Sequence, residues 1–184
     1  MRVAIITGAS SGLGEQYAVM VDRFCDGIDE IWVIARREEK LKELAEKLSK
    51  KVKVLPLDIT NPQDLEKLAA ELKTPDTDVK LLINNAGFGK LADFDSISLE
   101  ASAGMVRLNC EALTVITAMV LPYMSENSEI INSCSIASFA PNTRMAVYSS
   151  TKAYVMSLSR ALREELKPRK INVLAVCPGP MDTE

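Results

Sequence analysis

Six short runs of apolar and β-branched residues recur along the chain, and segments with helical spacing separate most of them. The runs cover residues 3–7, 31–35, 52–56, 79–83, 129–132 and 171–176. Their hydrophobicity is continuous rather than alternating, which indicates strands that are covered on both faces, as in a parallel sheet. Because these strands alternate with helices, the sequence predicts an α/β fold, a Rossmann-type doubly wound parallel sheet with helices on both faces.

The segments between the strands have the spacing of amphipathic helices. Leu41, Leu44 and Leu48 lie on one stripe of a charged segment. The pair Asn61-Pro62 is typical of a helix start, with Asn61 as the N-cap and Pro62 in the first helical position.

Two longer helical segments, 99–124 and 148–167, are apolar on more than one face. Such a helix needs a second surface to pack against besides the sheet. That surface is either a neighbouring helix of the same chain or a partner subunit, and the residues favour neither.

Composition excludes several classes of function. Among 184 residues, 22 are Lys or Arg and 25 are Asp or Glu, and no basic run occurs, which argues against nucleic acid as a partner. The chain contains no histidine. This excludes Ser-His-Asp and Cys-His catalysis and His-ligated metals, and we predict no metal site.

The cysteines and the apolar stretches bear on the compartment. The four cysteines form no C-x-x-C pair, and reduced, buried thiols fit the cytosol. The N-terminal apolar run, residues 3–6, is too short for a signal peptide. The longest largely apolar stretch, 112–124, is interrupted by Pro122 and is too short to span a bilayer. We therefore expect a cytoplasmic protein that makes no membrane contact.

A glycine-rich turn, Thr7-Gly8-Ala9-Ser10-Ser11-Gly12-Leu13-Gly14, joins the first predicted strand to the next helix. Glycines let a backbone turn sharply and approach a phosphate, and the helix N-terminus then presents free N–H groups to the anion. By itself such a turn is as often a tight βα connection. Its place after the first strand of a βαβ unit favours a dinucleotide site.

The end of the second predicted strand distinguishes between the nicotinamide dinucleotides. NAD sites carry an acidic residue there to bind the ribose 2′-hydroxyl, whereas this strand ends in Ala35-Arg36-Arg37. Because Arg36 can pair with a 2′-phosphate that a carboxylate would repel, we predict NADP(H) rather than NAD(H) as the cofactor. The alternative is a solvated basic cluster at the start of an acidic helix.

Tyr148 and Lys152 are four residues apart in a predicted helix, so their side chains share a face. A phenol has a reference pKa of about 10, and a nearby cation favours the phenolate, which suits tyrosine to acid–base chemistry. Alone, the pattern is most often an exposed helix pair. It gains weight from the end of the fifth strand, Asn132-Ser133-Cys134-Ser135, where a hydroxyl can hold a substrate oxygen.

Polar or turn-forming residues also follow the third, fourth and sixth strands, namely Asp58, Asn84-Asn85-Ala86-Gly87 and Pro178-Gly179. In an open α/β sheet, ligands bind beyond the carboxyl ends of the strands. Turn chemistry explains each of these residues singly. Their joint placement at one edge predicts a single site.

Taken in order, these motifs resemble the short-chain dehydrogenase/reductase family over residues 3–183. The resemblance is carried by Thr7-Gly8-x-x-x-Gly12-x-Gly14, Asn85-Ala86-Gly87, Asn109, Ser135, Tyr148, Lys152 and Pro178-Gly179-x-x-x-Thr183. It implies an oxidoreductase that transfers hydride between NADP(H) and a small-molecule carbonyl compound or secondary alcohol. It also implies a homodimer or homotetramer formed through helices 99–124 and 148–167.

The resemblance assigns roles to particular residues. Tyr148 would be the general acid/base, Lys152 would support it and hold the nicotinamide ribose, Ser135 would orient the substrate carbonyl, and Asn109 would place a water near Lys152. The implied cofactor-binding residues are Gly8, Ser10, Ser11, Gly12, Leu13, Gly14, Arg36, Asp58, Ile59, Asn85, Ala86, Gly87, Tyr148, Lys152, Pro178, Gly179, Met181 and Thr183.

Members of this family usually continue past the Pro-Gly segment with substrate-covering helices and a seventh strand. We therefore expect residues 1–184 to form one dinucleotide-binding domain that carries the catalytic residues, with the C-terminal substrate lid and the seventh strand absent from this sequence. The alternative function is a non-catalytic NADP(H)-binding sensor or interaction module of the same fold.

Overall fold

A parallel sheet of six strands lies at the centre of the structure, a computed structural model that describes residues 1–180. The strands are β1 (Arg2–Thr7), β2 (Glu30–Ala35), β3 (Lys51–Pro56), β4 (Asp78–Asn84), β5 (Glu129–Ser133) and β6 (Asn172–Val176). Their order in the sheet is β3-β2-β1-β4-β5-β6. This confirms the predicted Rossmann-type sheet, and its strand order reverses between β1 and β4, where such folds bind ligands.

Helices cover both faces of the sheet, which explains why the strands are continuously apolar. They are α1 (Gly12–Phe24), α2 (Glu38–Lys47), α3 (Pro62–Leu72), α4 (Leu99–Val106), α5 (Leu113–Val120) and α6 (Ala146–Leu166). Buried residues of α1 and α2 share one core with alternate residues of β1 and β2. Buried residues of α3 and α5 and the C-terminal end of α6 share a second core with the remaining residues of the same strands.

The predicted start of the third helix is confirmed. The side chain of Asn61 accepts a hydrogen bond from the backbone N–H of Gln63 at 2.9 Å, and Pro62 is the first residue of α3. The cap matters for the site because it fixes the loop 57–61, which follows β3 at the edge of the sheet where the predicted ligand residues lie.

The helix that contains the apolar stretch 112–124 begins well before it, at Leu99. A π-helical turn, Arg107–Ala112, joins α4 to α5 without a break, and the resulting helix, Leu99–Tyr123, has 25 residues and contains an 18-residue window with a mean hydropathy of 1.4. By length and composition it is sufficient to cross a membrane, so the argument from residues 112–124 alone was wrong about length. The core helix of a soluble domain has the same properties, and Ile116 and Val120 are fully buried against the sheet. The absence of membrane contact stays a prediction.

The outer surface of this helix remains partly uncovered. α4 packs against α6, so a neighbouring helix supplies part of the second surface that the sequence requires. Yet the side chain of Leu99 is 84% exposed and that of Val106 is 50% exposed. These exposed apolar groups are compatible with the predicted contact between subunits, which stays a prediction.

An exposed ion pair joins the amino-terminal ends of β1 and β2. Asp29 accepts hydrogen bonds from the backbone N–H of Arg2 at 2.8 Å and from its guanidinium Nη2 at 2.9 Å. The side-chain hydrogen bond from Arg2 is the main cause that lowers the pKa of Asp29 from 3.8 to about 2.

We expect Asp29→Asn to lower the thermal midpoint at pH 6, because it removes the charge that Arg2 binds. Since the pKa is lower in the folded state, this stabilisation is present above about pH 4 and is lost as the pH falls through about 2. Melting curves of both proteins should therefore converge between pH 4 and pH 2. Asp26→Asn, at an exposed neighbouring position, is the control, and a difference at pH 2 as large as that at pH 6 would contradict the ion-pair account.

Candidate active site

The glycine-rich turn between β1 and α1 forms a close-packed backbone surface. Gly8 and Gly12 have φ angles of 68° and 55°, in the left-handed region that favours glycine. A Cβ atom on Gly14 would lie 2.1 Å from the carbonyl oxygen of Gly8. Substitution at Gly14 therefore requires the turn itself to move. The turn leaves the first N–H groups of α1 without a side-chain cap from Ser11, as an anion site requires.

A cavity of about 590 Å³ lies beside this turn, at the carboxyl edge of the sheet. Eleven of the predicted cofactor residues line it, namely Gly8, Ser10, Ser11, Gly12, Leu13, Arg36, Asp58, Ile59, Asn85, Ala86 and Gly87. Gly14 packs behind the turn. Met181 and Thr183 lie outside the described residues.

The sequence analysis missed several residues of the cavity wall. They are Ile34, Ala35, Arg37, Leu57, Thr60, Phe88, Gly104, Arg107 and Leu108. Arg37 is the most informative of them, because its guanidinium Nη2 donates hydrogen bonds to Ser11 Oγ at 2.7 Å and Ser10 Oγ at 3.1 Å. Arg36 also lines the cavity, but it is exposed and makes no hydrogen bond or ion pair within residues 1–180. The pair Arg36-Arg37 in the sequence indicates a basic site here, but the prediction named only Arg36 as a cofactor residue.

Asn85 and Thr7 join the end of β4 to the glycine-rich turn. The Thr7 hydroxyl oxygen accepts hydrogen bonds from the backbone N–H groups of Asn85 and Ala86 at 3.0 and 3.1 Å. The side-chain amide of Asn85 donates to the carbonyl of Gly8 at 3.3 Å. These bonds hold the Asn85-Ala86-Gly87 segment against the turn, so both form one wall of the cavity.

Ser133, at the end of β5, connects the turn to the predicted catalytic helix. Its carbonyl accepts a hydrogen bond from Lys152 Nζ at 2.6 Å, and its hydroxyl donates to Asn85 Oδ1 at 3.2 Å. The contact between Ser133 and Lys152 could not be predicted from the sequence, because it uses the backbone carbonyl, which every residue type has.

Lys152 is a buried cation in the second turn of α6. Only 6% of the residue is exposed, and burial lowers the pKa of its ammonium group. Its Nζ lies 5.7 Å from the centroid of the Tyr148 ring, as the four-residue spacing predicts. A Cβ atom on Gly87 would lie 3.6 Å from the same Nζ, so the lysine stands directly behind the cavity wall.

Asn109 lies in the π-helical turn Arg107–Ala112, with 1% exposure. Its Oδ1 accepts a hydrogen bond from the N–H of Phe88 at 3.0 Å, and its Nδ2 donates to the Phe88 carbonyl at 2.9 Å and to Thr151 Oγ1 at 3.0 Å. It thereby ties the loop after β4 to both long helices. π-Helical turns are frequent at functional sites.

Ser135 follows β5 and precedes the loop that leads to α6. Its Oγ accepts a hydrogen bond from the N–H of Ala137 at 3.2 Å and donates none within the described residues. Its hydroxyl proton is thus free to be donated to a ligand. The carbonyl of Pro178 accepts a hydrogen bond from the N–H of Ile136 at 3.1 Å, which places Pro178-Gly179 beside this loop.

Two other kinds of reactive group, a cysteine thiolate and a bound metal ion, were considered at this edge of the sheet. Burial is the main cause that raises the pKa of the Cys134 thiol to about 12, so this neighbour of Ser135 is protonated near neutral pH. Among residues 1–180, no group of three or more acidic or cysteine side chains could hold a metal ion.

A family model described as short chain dehydrogenase matches residues 2–184. The chain belongs to the short-chain dehydrogenase family. The family predicted from the order of the motifs is thereby confirmed. Members of this family are oxidoreductases, and the match assigns oxidoreductase activity to the chain.

Known members of the short-chain dehydrogenase family are similar to this chain in sequence and structure. The chain is 30% identical over 185 residues to an uncharacterized oxidoreductase of Staphylococcus aureus, a match that covers 99% of this chain and 79% of that protein. A short-chain dehydrogenase from Sphingobium yanoikuyae in complex with NADPH is 34% identical, with a TM-score of 0.86 over 100% of this chain and 73% of that one. A 3-ketoacyl-(acyl-carrier-protein) reductase from Brucella melitensis complexed with NADH is 29% identical, with a TM-score of 0.87 over 99% and 77%.

We expect Asn109→Ala to lower the free energy of unfolding by about 1–3 kcal/mol, because it removes a buried side chain that hydrogen-bonds the N–H and C=O of Phe88 and the hydroxyl of Thr151. Urea titration followed by circular dichroism measures the change. Glu111→Gln is the control, since Glu111 is exposed on the same π-helical turn. Equal stability of Asn109→Ala and wild type would show that Phe88 does not depend on this side chain.

Proposed function

We propose that this short-chain dehydrogenase transfers hydride between NADP(H) and a carbonyl compound or secondary alcohol, with Tyr148 as general acid/base. The observation that carries the proposal is the position of Gly87. This residue lines the cavity, and a Cβ on it would lie 3.0 Å from Asn109 Oδ1 and 3.6 Å from Lys152 Nζ. The cavity and the candidate catalytic groups therefore share one wall.

The residues present fit a dinucleotide. The positive φ angles at Gly8 and Gly12, and the absence of space for a Cβ on Gly14, create a backbone cradle next to the uncapped N-terminus of α1. Such a cradle binds a pyrophosphate through N–H groups and the helix dipole. Residues that line the rest of the cavity, Asp58 and Ile59 among them, would hold the adenosine half.

The charge at the end of β2 favours NADP(H) over NAD(H). Arg36 and Arg37 both line the cavity there, where an NAD site would carry a carboxylate. Arg37 is held by Ser10 and Ser11, whereas the Arg36 guanidinium makes no hydrogen bond or ion pair with another residue of 1–180. We infer that the two arginines bind a 2′-phosphate together, because a charge-assisted fork suits that group.

Tyr148, Ser135 and Lys152 have different roles in the proposed proton transfer. When bound, the nicotinamide group supplies the hydride for reduction and accepts it in oxidation. Tyr148 donates its phenolic proton to the carbonyl oxygen of the substrate, and takes the proton of the alcohol in the reverse direction. The Ser135 hydroxyl donates a hydrogen bond to the same oxygen and so orients it. The ammonium group of Lys152 stabilises the phenolate that remains.

Lys152 suits this role because it is enclosed. A cation interacts more strongly with a nearby anion when water is excluded, and Lys152 is held in place by the carbonyl of Ser133. Asn109 fixes Phe88 and Thr151 around it. The chain thus provides a fixed charge behind the tyrosine rather than a mobile surface lysine.

We expect Tyr148→Phe to reduce turnover by at least about 100-fold, because it removes the acid/base group, while the Kd of NADPH stays within twofold of wild type. Turnover is measured as loss of NADPH absorbance with a panel of ketones and aldehydes. Tyr154→Phe is the matched control, since Tyr154 lies on the same helix and bonds Thr114 instead. Normal turnover by Tyr148→Phe would refute the assignment.

We expect Arg36→Asp and Arg37→Asp each to raise the Kd of NADPH by about 10–100-fold, which corresponds to the loss of one charge-assisted contact. Binding of NADH should be unchanged or tighter. Nicotinamide fluorescence measures both, and Lys73→Asp, at the exposed C-cap of α3, controls for net charge. An equal loss of affinity for the two cofactors would mean that the arginines support the fold instead.

A further inference from the structure

Gly89 lies against the ring of Tyr148. A Cβ atom built on Gly89 would be 2.7 Å from Cδ2, 3.0 Å from Cγ and 3.1 Å from Cε2 of that ring. All three distances are shorter than the van der Waals separation of two carbon atoms, which is about 3.5–4.0 Å. Any side chain at position 89 therefore requires either the loop or the ring to move.

The backbone conformation does not explain the glycine. Gly8 and Gly12 are the glycines with positive φ among residues 1–180, so Gly89 has a conformation that other residues can adopt. The three heavy atoms nearest to a Cβ on Gly89 all belong to the Tyr148 ring, so the approach of this ring is what limits a side chain there. Gly89 differs in this from Gly8, where both constraints apply.

The loop that carries Gly89 is fixed on both sides. Phe88 exchanges two hydrogen bonds with Asn109, at 3.0 and 2.9 Å. The N–H of Ala92 donates to the carbonyl of Arg144 at 2.9 Å, which ties the loop to the segment before α6. The backbone at Gly89 is thus held in place, and the Tyr148 ring is the group that must yield.

Movement of the ring would move the reacting hydroxyl. The contact lies at Cγ and Cδ2, close to the root of the side chain, so a small rotation there produces a larger displacement at the phenolic oxygen. The ring also stands at a set distance from Lys152 Nζ, 5.7 Å from its centroid. Both relations depend on the space that Gly89 leaves.

We propose that Gly89 is a positioning residue, whose missing side chain sets the location of the Tyr148 hydroxyl relative to Lys152 and Ser135. The proposal rests on the proposed acid/base role of Tyr148. Gly89 lies in the loop after β4, just beyond the motif Asn85-Ala86-Gly87, so this requirement is additional to the motif. Displacement of a reacting group by about 1 Å costs on the order of 100-fold in rate.

The test is Gly89→Ala. We expect kcat to fall about 100-fold, with the carbonyl compound that wild type reduces fastest in the panel, while the Kd of NADPH stays within twofold of wild type. Gly27→Ala is the control, because a Cβ there would meet only the Arg2 side chain at 3.9 Å. Unchanged kcat in Gly89→Ala would overturn the proposal.

A double variant separates positioning from general damage. In the Tyr148→Phe background, Gly89→Ala should cause no further loss of turnover, because the group that it displaces is already inactive. A further loss of tenfold or more would overturn the proposal. Retention of turnover by Tyr148→Phe alone would instead refute the proposed function, so the two failures are distinguishable.

A stability cycle provides a readout that does not need activity, including the case in which Gly89→Ala folds poorly. Tyr148→Ala removes the ring, so Gly89→Ala should lower the thermal midpoint in the wild-type background and leave it unchanged in the Tyr148→Ala background. Equal decreases in both backgrounds would show that the Cβ clashes with something other than the ring, and would overturn the proposal.

Discussion

The hydrogen bond from Lys152 to the carbonyl of Ser133 is the contact on which the arrangement of the site depends. A buried ammonium group is costly unless it is hydrogen-bonded, and the end of β5 supplies an acceptor at 2.6 Å. The same serine uses its hydroxyl to bind Asn85, which in turn binds Gly8. One strand end therefore fixes both the charge behind the tyrosine and the wall of the nucleotide cavity. The polar side chains of this edge form a connected network rather than separate ligands.

Glycines mark the places where this network brings main chain and side chains closest together. At Gly14 the backbone of the turn approaches itself, at Gly87 the loop approaches Asn109 and Lys152, and at Gly89 it approaches the Tyr148 ring. The first contact shapes the cavity, and the other two join the cavity to Tyr148, the proposed acid/base group. A rigid parallel sheet makes such close packing possible, because the positions of its strand ends are fixed by the ladder of hydrogen bonds on either side.

Much of this architecture could be predicted from sequence for identifiable physical reasons. Continuously apolar strands require cover on both faces, and Asn61-Pro62 specifies a helix start locally, so both predictions are confirmed. The helical segment 99–124 was also predicted as one element, and the structure has it as the continuous helix Leu99–Tyr123. The membrane argument counted only residues 112–124, because polar residues of the π-helical turn, such as Arg107 and Asn109, interrupt the apolar run. The roles of Arg37 and Ser133 were missed because they depend on tertiary geometry. The packing of the helices and strands decides that Arg37, rather than Arg36, binds the glycine-rich turn. It also decides that the carbonyl of Ser133 accepts the hydrogen bond from Lys152.

We propose, above all, that the cavity beside the glycine-rich turn is an NADP(H) site that serves Tyr148. Titration of the purified chain with NADPH and, in parallel, with NADH, followed by nicotinamide fluorescence, tests it most directly. We expect saturable binding of both cofactors, with NADPH at least about tenfold tighter, as one additional charge-assisted contact provides. Equal or tighter binding of NADH, or binding of neither dinucleotide, would contradict the account.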